Sequence, residues 1–480
     1  MAKIRVCDIN DFFTMTGGGV RRYHLEKLRY MARQEDVEYH LLVPSAHSGV
    51  EIHGNARIHH VPALPLGRSG YRLVVNPLSF RKIIAQIRPD VIEVGSPYTT
   101  PDWVKVATLG VRSISGKTPR FVGFWHANFP VTDVGRAFGG PKTWLGRLAE
   151  TAAWAWARRT FGQFDVTMAA TQVMVNQLTS HGISRVAHTP LGVDTQMFHP
   201  KRRDAELRAT WGAGPDDVVL CYPNRLSEEK NYRPLLQAYE LLRQAGHQPI
   251  LVVAGHGPGV PEVKALAAKY PQVHYMGYIE RPIDMARMLA SVDVVATLCP
   301  YETFGLSAVE AMASGAALLG SGQMSIGELL EHCNCGISLP ETTPEAVAEA
   351  WLELSKPGRA ELLGKRGLQE CQSRYSWKST FTRVVGVYED VIARRLTADV
   401  TRLLEVEPPV AAQSKTQAEK PAIQPATVRI TGRIPRFAEN LQADEYIDTD
   451  PENIHTSGLL NDRRRVRRAA GESHFGDAPF

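Results

Sequence analysis

The chain has 480 residues, of which 44% are hydrophobic and 22% charged, and its formal net charge is +5. Domains usually contain about 100–200 residues, so this length predicts two or three of them, each able to bury a core. The mild positive charge suits phosphate-bearing ligands or an anionic membrane face, and it is too weak to indicate a nucleic-acid partner.

The cysteines and the apolar runs indicate in which cellular compartment the protein works. Six cysteines are scattered over the chain without a disulfide framework, which favours a reducing environment. The chain enters an apolar run at Ile4 without the long hydrophobic core of a signal peptide, and no apolar stretch is long enough to span a bilayer. We therefore expect a cytoplasmic protein that is at most peripheral to the inner face of a membrane.

Short apolar runs alternate with amphipathic stretches along most of the chain, a pattern typical of parallel α/β folds. In the first half, strands are predicted at residues 4–7, 39–43, 91–94, 121–124 and 166–169, with helices over residues 20–33 and 143–160. In the second half, strands are predicted at residues 218–222, 250–254, 292–296 and 317–320, with a final helix over residues 377–395. The sequence thus predicts two doubly wound domains.

Changes in composition predict the domain boundaries. A Pro- and charge-rich break separates a first domain over residues 1–198 from a second over residues 199–378. We predict a closing helix within residues 379–404. Residues 405–480 read as a flexible linker and a tail with a basic run over residues 463–468, and we expect this region to be mostly disordered because it holds few large apolar groups.

Two motifs in the first half follow predicted strands. Gly17, Gly18 and Gly19 lie between the first strand and the first helix, where glycine lets backbone N–H groups approach a ligand closely. A generic Gly-rich turn explains them equally well. His126 directly follows another strand, although a lone histidine is more often structural.

Two motifs in the second half carry charge. Arg225 and Lys230 stand on the loop after a strand, and a guanidinium with an ammonium suits a diphosphate, although solvated surface charge is the plainer alternative. Glu302 and Glu310 bracket the start of a helix that is otherwise apolar and rich in small residues. Ligands of open α/β sheets bind at this edge, but a capping acid plus a solvated helix acid would give the same spacing.

Two further segments argue against a cofactor or a metal. The glycines over residues 254–259 miss the dinucleotide-binding spacing, and no ribose-binding acid lies about 20 residues further on. Residues 331–335 contain histidine and cysteine but lack a second ligand pair, so a turn between helix and strand is the better interpretation.

Taken together, these motifs resemble those of the family 4 retaining glycosyltransferases, which have the GT-B fold, over about residues 1–395. That family has a Gly-rich first loop, a histidine after a first-domain strand, an R-x4-K pair, and an E-x7-E element with Phe-Gly-Leu after its first acid. Asp194 matches a family segment at the domain seam, with Leu191 replacing the usual Asn. The chain is similar to lipid-directed mannosyl- or sulfoquinovosyl-transferases and to polysaccharide-building members.

The resemblance implies a UDP- or GDP-linked sugar as donor, a glycan or lipid-linked acceptor, and no enzymic nucleophile. Arg225 and Lys230 would hold the diphosphate, while Glu302 and His126 would contact the hexose. The basic pair would replace a metal, so we expect neither a metal nor a cofactor. The other donor-binding residues that the resemblance implies are Gly17, Gly18, Gly19, Asp194, Tyr278, Ile279, Phe304, Gly305, Leu306 and the ribose-binding Glu310.

Some alternatives remain open. A GT-B-fold epimerase or phosphorylase would share the architecture, and a non-catalytic nucleotide-sugar-binding scaffold would use the tail as its working part. The predicted helix with Trp144, Trp154 and Trp156 could lie on an anionic membrane, or its tryptophans could pack into the core of the first domain.

Overall fold

The computed structural model of the protein describes residues 3–11, 13, 18–66 and 71–394. All of these residues belong to one compact unit. Gly17, the tail over residues 405–480 with its basic run over residues 463–468, and the end of the predicted closing segment lie outside the described residues.

The first half of the described chain builds a sheet from eight of its strands. The strands of this half are β1 (Ile4–Ile9), β2 (Val37–Ser45), β3 (Gly49–His53), β4 (Ala56–Pro62), β5 (Leu64–Pro65), β6 (Arg72–Leu73), β7 (Val91–Val94), β8 (Arg120–Trp125), β9 (Val166–Ala169) and β10 (Val186–His188). The sheet order is β10-β9-β8-β7-β1-β2-β4-β3. Its pairs are parallel except for the antiparallel β3–β4 edge, and β5 and β6 form a small separate hairpin.

The second half of the described chain builds a sheet of six parallel strands. They are β11 (Val219–Tyr222), β12 (Ile250–Ala254), β13 (Val273–Gly277), β14 (Val294–Thr297), β15 (Ala317–Ser321) and β16 (Gly336–Leu339). Their order is β13-β12-β11-β14-β15-β16. Central strands such as β12 are buried at every position, as expected when helices cover both faces of a parallel sheet.

Helices connect most of the strands. They are α1 (Gly19–Met31), α2 (Pro77–Ile87), α3 (Thr100–Thr108), α4 (Trp144–Phe161), α5 (Gln172–Ser180), α6 (Ala205–Thr210), α7 (Arg233–Gln244), α8 (Val260–Lys269), α9 (Pro282–Ser291), α10 (Leu306–Ala313), α11 (Met324–Cys333), α12 (Pro344–Leu354), α13 (Arg359–Arg374) and α14 (Trp377–Ala393). None of these helices is long and apolar enough to cross a bilayer.

The order of the strands reverses once in each sheet, between β1 and β7 and between β11 and β14. Ligands of open α/β sheets bind outside the carboxyl ends of the strands at such a reversal. The segments that follow β1, β8, β11 and β14 leave these ends, and they include Gly18 and Gly19, His126, the Arg225–Lys230 pair and Glu302. The fold therefore places these described residues at the carboxyl ends of strands, while Glu310 lies further on, within α10.

The last helix returns to the first half of the chain. α14 starts after the N-cap Ser376, whose side chain accepts a hydrogen bond from the Ser379 N–H. Its Phe381 ring lies 5.7 Å from the Tyr23 ring of α1, and its Tyr388 is fully buried. The C-terminal helix thus helps to hold α1, the helix that follows the Gly-rich segment.

The predicted strands and long helices are confirmed, with shifts of a few residues at their ends. The chain passes from the first sheet to the second between His188 and Val219, while the domain boundaries at residues 198 and 378 stay predictions. Core packing is the right alternative for Trp154, which is buried and stacks on Trp125 at 5.7 Å. Core packing is wrong for Trp144, the first residue of α4, because its side chain faces solvent and is 67% exposed.

Candidate active site

The loop between β14 and α10 contacts three separate parts of the chain. Glu302 accepts a hydrogen bond and ion pair from the Lys230 ammonium. The next residue, Thr303, donates its hydroxyl to the carbonyl of His126 at 3.0 Å, and its own carbonyl accepts a hydrogen bond from Thr171. The loop therefore ties Lys230 of the second half to the His126 segment of the first.

The loop ends in a backbone conformation that requires glycine. Gly305 has a φ of +89°, and a Cβ on it would lie 2.6 Å from Ile326. The residue before it, Phe304, points its side chain into the core, and Leu306 begins α10. The backbone amides of these residues lie at the helix N-terminus, where anions are favoured.

Lys230 and Arg225 differ in how they are held. Burial alone would lower the pKa of Lys230, but the Glu302 carboxylate outweighs it and raises that pKa above its usual value. The Lys230 side chain is 22% exposed. That of Arg225 is 67% exposed and has one ion pair, with Glu229 at 3.5 Å. The structure thus brings Lys230 to Glu302 and leaves Arg225 extended toward solvent.

His126 lies at the end of β8 in an aromatic setting. Its ring stacks on Phe124 at 4.3 Å and meets the edge of Tyr23 at 5.2 Å. Burial, reinforced by the nearby His24 and Lys27, holds the pKa of His126 well below its usual value. The imidazole is therefore neutral at physiological pH. Its Nε2 is buried and has no hydrogen-bond partner among the described residues.

The Gly-rich segment meets the second half at α10. A Cβ on Gly19 would lie 2.9 Å from Leu306 Cδ1, so this glycine lets the start of α1 approach the start of α10. Gly18 is the exposed N-cap residue of α1. One turn into α1, Arg22 forms an ion pair with Glu310. This guanidinium is a site residue that no sequence motif indicated.

No hydrogen bond or ion pair between described residues joins three other predicted donor-binding residues to these groups, although the Tyr278 hydroxyl lies near enough to the Arg22 guanidinium to act on its charge. The Asp194 carboxylate accepts hydrogen bonds from the amides of Gln196 and Met197, so it caps a turn at the seam. Tyr278 is 65% exposed and Ile279 is partly buried against the core. Their binding roles stay predictions.

A fully buried charge cluster lies beneath the site. Lys27 of α1 donates hydrogen bonds to Asp8 at 2.7 Å and to Glu93 at 2.8 Å. Tyr39 donates to Asp8 at 2.6 Å, and Tyr388 of α14 donates to Glu93. The cluster joins β1, β2, β7, α1 and α14, so it fixes the helix that carries Arg22.

The pKa shifts in this cluster have opposite signs. Burial opposes ionisation of Asp8, but Lys27 and His24 outweigh it and hold the pKa of Asp8 below its usual value. Burial raises the pKa of Glu93, and Lys27 opposes that rise only in part. The sequence carries one signal for this cluster, because Glu93 interrupts the otherwise apolar strand β7.

Comparison with known proteins decides the family. The family model "Glycosyltransferase Family 4" matches residues 17–197, and "Glycosyl transferases group 1" matches residues 204–366. Between them they take in every motif of the site and all the strands of both sheets except β1. The chain belongs to glycosyltransferase family 4.

Curated relatives of this glycosyltransferase include two mycobacterial enzymes. A GDP-mannose-dependent alpha-(1-6)-phosphatidylinositol dimannoside mannosyltransferase of Mycobacterium tuberculosis is 29% identical over 356 residues, which is 72% of this chain and 86% of the relative. A GDP-mannose-dependent alpha-mannosyltransferase of Mycolicibacterium smegmatis is 27% identical over 413 residues, which is 82% of this chain and 99% of the relative.

The solved structures bear out the architecture of this glycosyltransferase. Sucrose-phosphate synthase from Thermosynechococcus elongatus superposes with a TM-score of 0.67 at 16% identity, covering 82% of this chain and 100% of that one. The two-sheet arrangement is therefore the GT-B fold, as the sequence predicted.

Proposed function

We propose that this glycosyltransferase transfers a hexose, with retention of configuration, from a GDP- or UDP-linked sugar to a lipid or glycan acceptor. The observation that carries the proposal is the loop at Glu302 and Thr303, which contacts both Lys230 and His126. A nucleotide-diphosphate sugar needs cations at its diphosphate and hydrogen-bonding groups at its hexose. Neighbouring residues of this loop contact one group of each kind, through the Lys230 ammonium and the backbone carbonyl of His126.

The division of labour follows from the chemistry of each group. Lys230 and Arg225 supply positive charge where the leaving diphosphate gains negative charge. The neutral His126 ring suits contact with the hexose because it carries no charge of its own. Glu302 is ion-paired with Lys230, which suits hydrogen bonding to the hexose better than service as a nucleophile. Transfer on one face of the sugar then needs no covalent intermediate.

The relatives favour one donor and one acceptor class. Both mycobacterial relatives are named as GDP-mannose-dependent, and one of them acts on a phosphatidylinositol dimannoside. We propose GDP-mannose as the donor and a glycolipid as the acceptor. The domains at residues 1–198 and 199–378 would then bind the acceptor and the donor, respectively.

A thermal-shift panel of GDP, UDP, ADP and their sugars tests the donor. A ligand at 100 times its dissociation constant stabilises the protein by about 2.7 kcal/mol. We expect GDP and GDP-mannose to raise the melting temperature most. No response to any of these nucleotides would contradict the proposed function and favour the scaffold alternative.

Metal independence follows from the basic pair. Because Lys230 and Arg225 neutralise the diphosphate, we expect hexose transfer to continue in excess EDTA. The measurement is product formation from GDP-mannose with and without the chelator. Activity that returns only on addition of magnesium or manganese would show that the phosphate site is misassigned.

We also propose that the enzyme works at the inner face of a membrane. A platform before and within the first two turns of α4 presents apolar side chains to solvent: Phe138, Trp144 and Leu148 are 55%, 67% and 59% exposed. Lys142 and Arg147 stand beside them, also exposed. Large apolar groups flanked by cations suit an anionic lipid surface. All six cysteines are free and buried, which fits the cytoplasmic side.

Vesicle sedimentation tests this surface. We expect Trp144→Ser together with Leu148→Ser to reduce binding to phosphatidylglycerol vesicles while donor binding in solution is kept. Leu362→Ser on α13 is the matched control, since Leu362 is 46% exposed on the other half of the chain. Equal losses for the two sets of variants, or binding unaffected by either, would contradict the membrane proposal.

A further inference from the structure

The ion pair of Arg22 with Glu310 joins the two halves of the chain. Arg22 lies in the first turn of α1, three residues after Gly19, and its Nη1 donates to Glu310 Oε1. The two residues are 288 positions apart in the sequence. Beside them Gly19 packs on Leu306, so the start of α1 abuts the start of α10 at this point.

Glu310 depends on this contact for its charge. The residue is 7% exposed, and Arg22 is the one side chain that bonds to its carboxylate among the described residues. A buried carboxylate that loses its cation is strongly disfavoured and tends to take up a proton instead. Arg22 is therefore the cation that compensates this buried carboxylate, and the other charged or titratable side chains that act on Arg22 are Glu26, Arg29 and Tyr278.

Arg22 is itself held in place. Its guanidinium lies 5.7 Å from the centre of the Phe198 ring at the seam, and its side chain is 30% exposed. The helix that carries it is anchored by the buried Lys27, Asp8 and Glu93 cluster. The cation therefore approaches Glu310 from a rigid support rather than from a loop.

We propose that Arg22 is a positioning residue for the ribose of the nucleotide-sugar donor. It acts through Glu310, by holding Oε1 and leaving Oε2 to accept a ribose hydroxyl. The inference rests on the proposed function, in which Glu310 binds the ribose. Because Arg22 and Glu310 belong to different halves of the chain, the ribose site is complete only where the two halves meet.

This role predicts a defined kinetic pattern. Ribose binding is the same in the ground state and the transition state, so its loss raises KM more than it lowers kcat. Without Arg22, we expect Glu310 to be protonated at a higher pH than in the wild-type protein. Donor binding would then weaken as the pH falls, since a protonated carboxyl is a poorer acceptor for a hydroxyl.

The experiment measures the dissociation constant of GDP for the full chain between pH 6 and pH 8. We expect Arg22→Gln to raise it about tenfold at pH 7, which corresponds to about 1.4 kcal/mol. We divide the dissociation constant of the variant by that of the wild-type protein at each pH, because the titration of GDP affects both and cancels. This ratio should grow toward pH 6. Arg22→Lys keeps a cation beside Glu310 and should restore most of the affinity and a flat ratio.

The matched control is Arg33→Gln, two residues after the end of the same helix. Arg33 is exposed and forms no ion pair with any described residue, so its removal deletes an equal charge without releasing Glu26, which acts on Arg22. We expect its ratio to stay near one at every pH. In the double variant Arg22→Gln, Glu310→Gln, the loss should be no greater than in Glu310→Gln alone, because the two residues act as one unit.

Two results would overturn the inference. Tighter or unchanged GDP binding in Arg22→Gln would show that Arg22 competes with the donor or plays no part in its binding. Additive losses in the double variant would show that Arg22 does not act through Glu310. If the wild-type protein binds neither GDP nor UDP, the proposed function itself fails and this inference fails with it.

Discussion

Replacing Lys230 with Ala is expected to lower the turnover of hexose transfer by at least ten- to hundredfold and to weaken donor binding. A charge-assisted hydrogen bond to a phosphate oxygen contributes about 1.5–3 kcal/mol, and each 1.4 kcal/mol is a factor of ten in rate. The bond strengthens as the leaving diphosphate gains charge, so kcat falls as well as affinity. Steady-state kinetics with GDP-mannose measure both.

The same substitution also releases Glu302 from its ion pair. Lys269→Ala is the matched control, since Lys269 forms a pair with Glu240 at 2.8 Å on the surface of the second half. That variant should keep wild-type turnover. A Lys230→Ala enzyme with unchanged kcat would show that this lysine does not meet the leaving group.

Replacing His126 with Ala is expected to abolish most of the transfer while nucleotide binding survives. The ring lies in the first half of the chain, whereas Lys230 and Arg225 lie in the second, and we assign its contact to the hexose rather than to the diphosphate. Because its pKa lies well below neutrality, the wild-type rate should show no inflection from this residue between pH 6 and pH 8.

The measurements are GDP affinity and the rate of transfer in the same preparation. His60→Ala is a control, since His60 pairs with Glu51 on the β3–β4 edge. It should leave both quantities unchanged. If His126→Ala transfers hexose at the wild-type rate, the first-domain part of the proposed site is wrong. If it loses GDP binding as well, the ring supports the fold rather than the hexose.

The three expected patterns separate the groups of the site. Lys230→Ala lowers kcat and affinity together, His126→Ala lowers kcat alone, and Arg22→Gln mainly raises KM. A protein that only binds nucleotides would show the affinity changes without the loss of turnover. The pattern therefore distinguishes a transferase from a scaffold.

The sequence by itself determined the fold class and the loops of the site. Apolar periodicity and turn residues are local properties, and they predict strands such as β9 at the residues where the structure has them. In a parallel sheet the carboxyl ends share one edge, so His126, Lys230 and Glu302 could be assigned to ligand-binding loops before any distance was known. The resemblance of these motifs to a family then supplied their roles.

The sequence could predict in part which side chains of a helix face the core. Residues two apart point about 200° away from one another, so Trp154 and Trp156 could not both face the core. Trp154 is buried, and Trp156 donates its indole N–H to the carbonyl of Pro97 at the surface. The elements packed around α4 determine which of its two faces is buried.

Only the tertiary structure decided which charges meet. Glu302 and Lys230 are 72 residues apart, and Arg22 and Glu310 are 288 apart, so no local pattern links them. Ion pairing depends on distance and burial. For Lys230 and Glu302 these are set by the neighbouring strands β11 and β14, and for Arg22 and Glu310 by the approach of α1 to α10. Lys27 looks in the sequence like any helix lysine. It becomes the centre of a buried charge cluster because packing, not spacing, brings Asp8 and Glu93 to it.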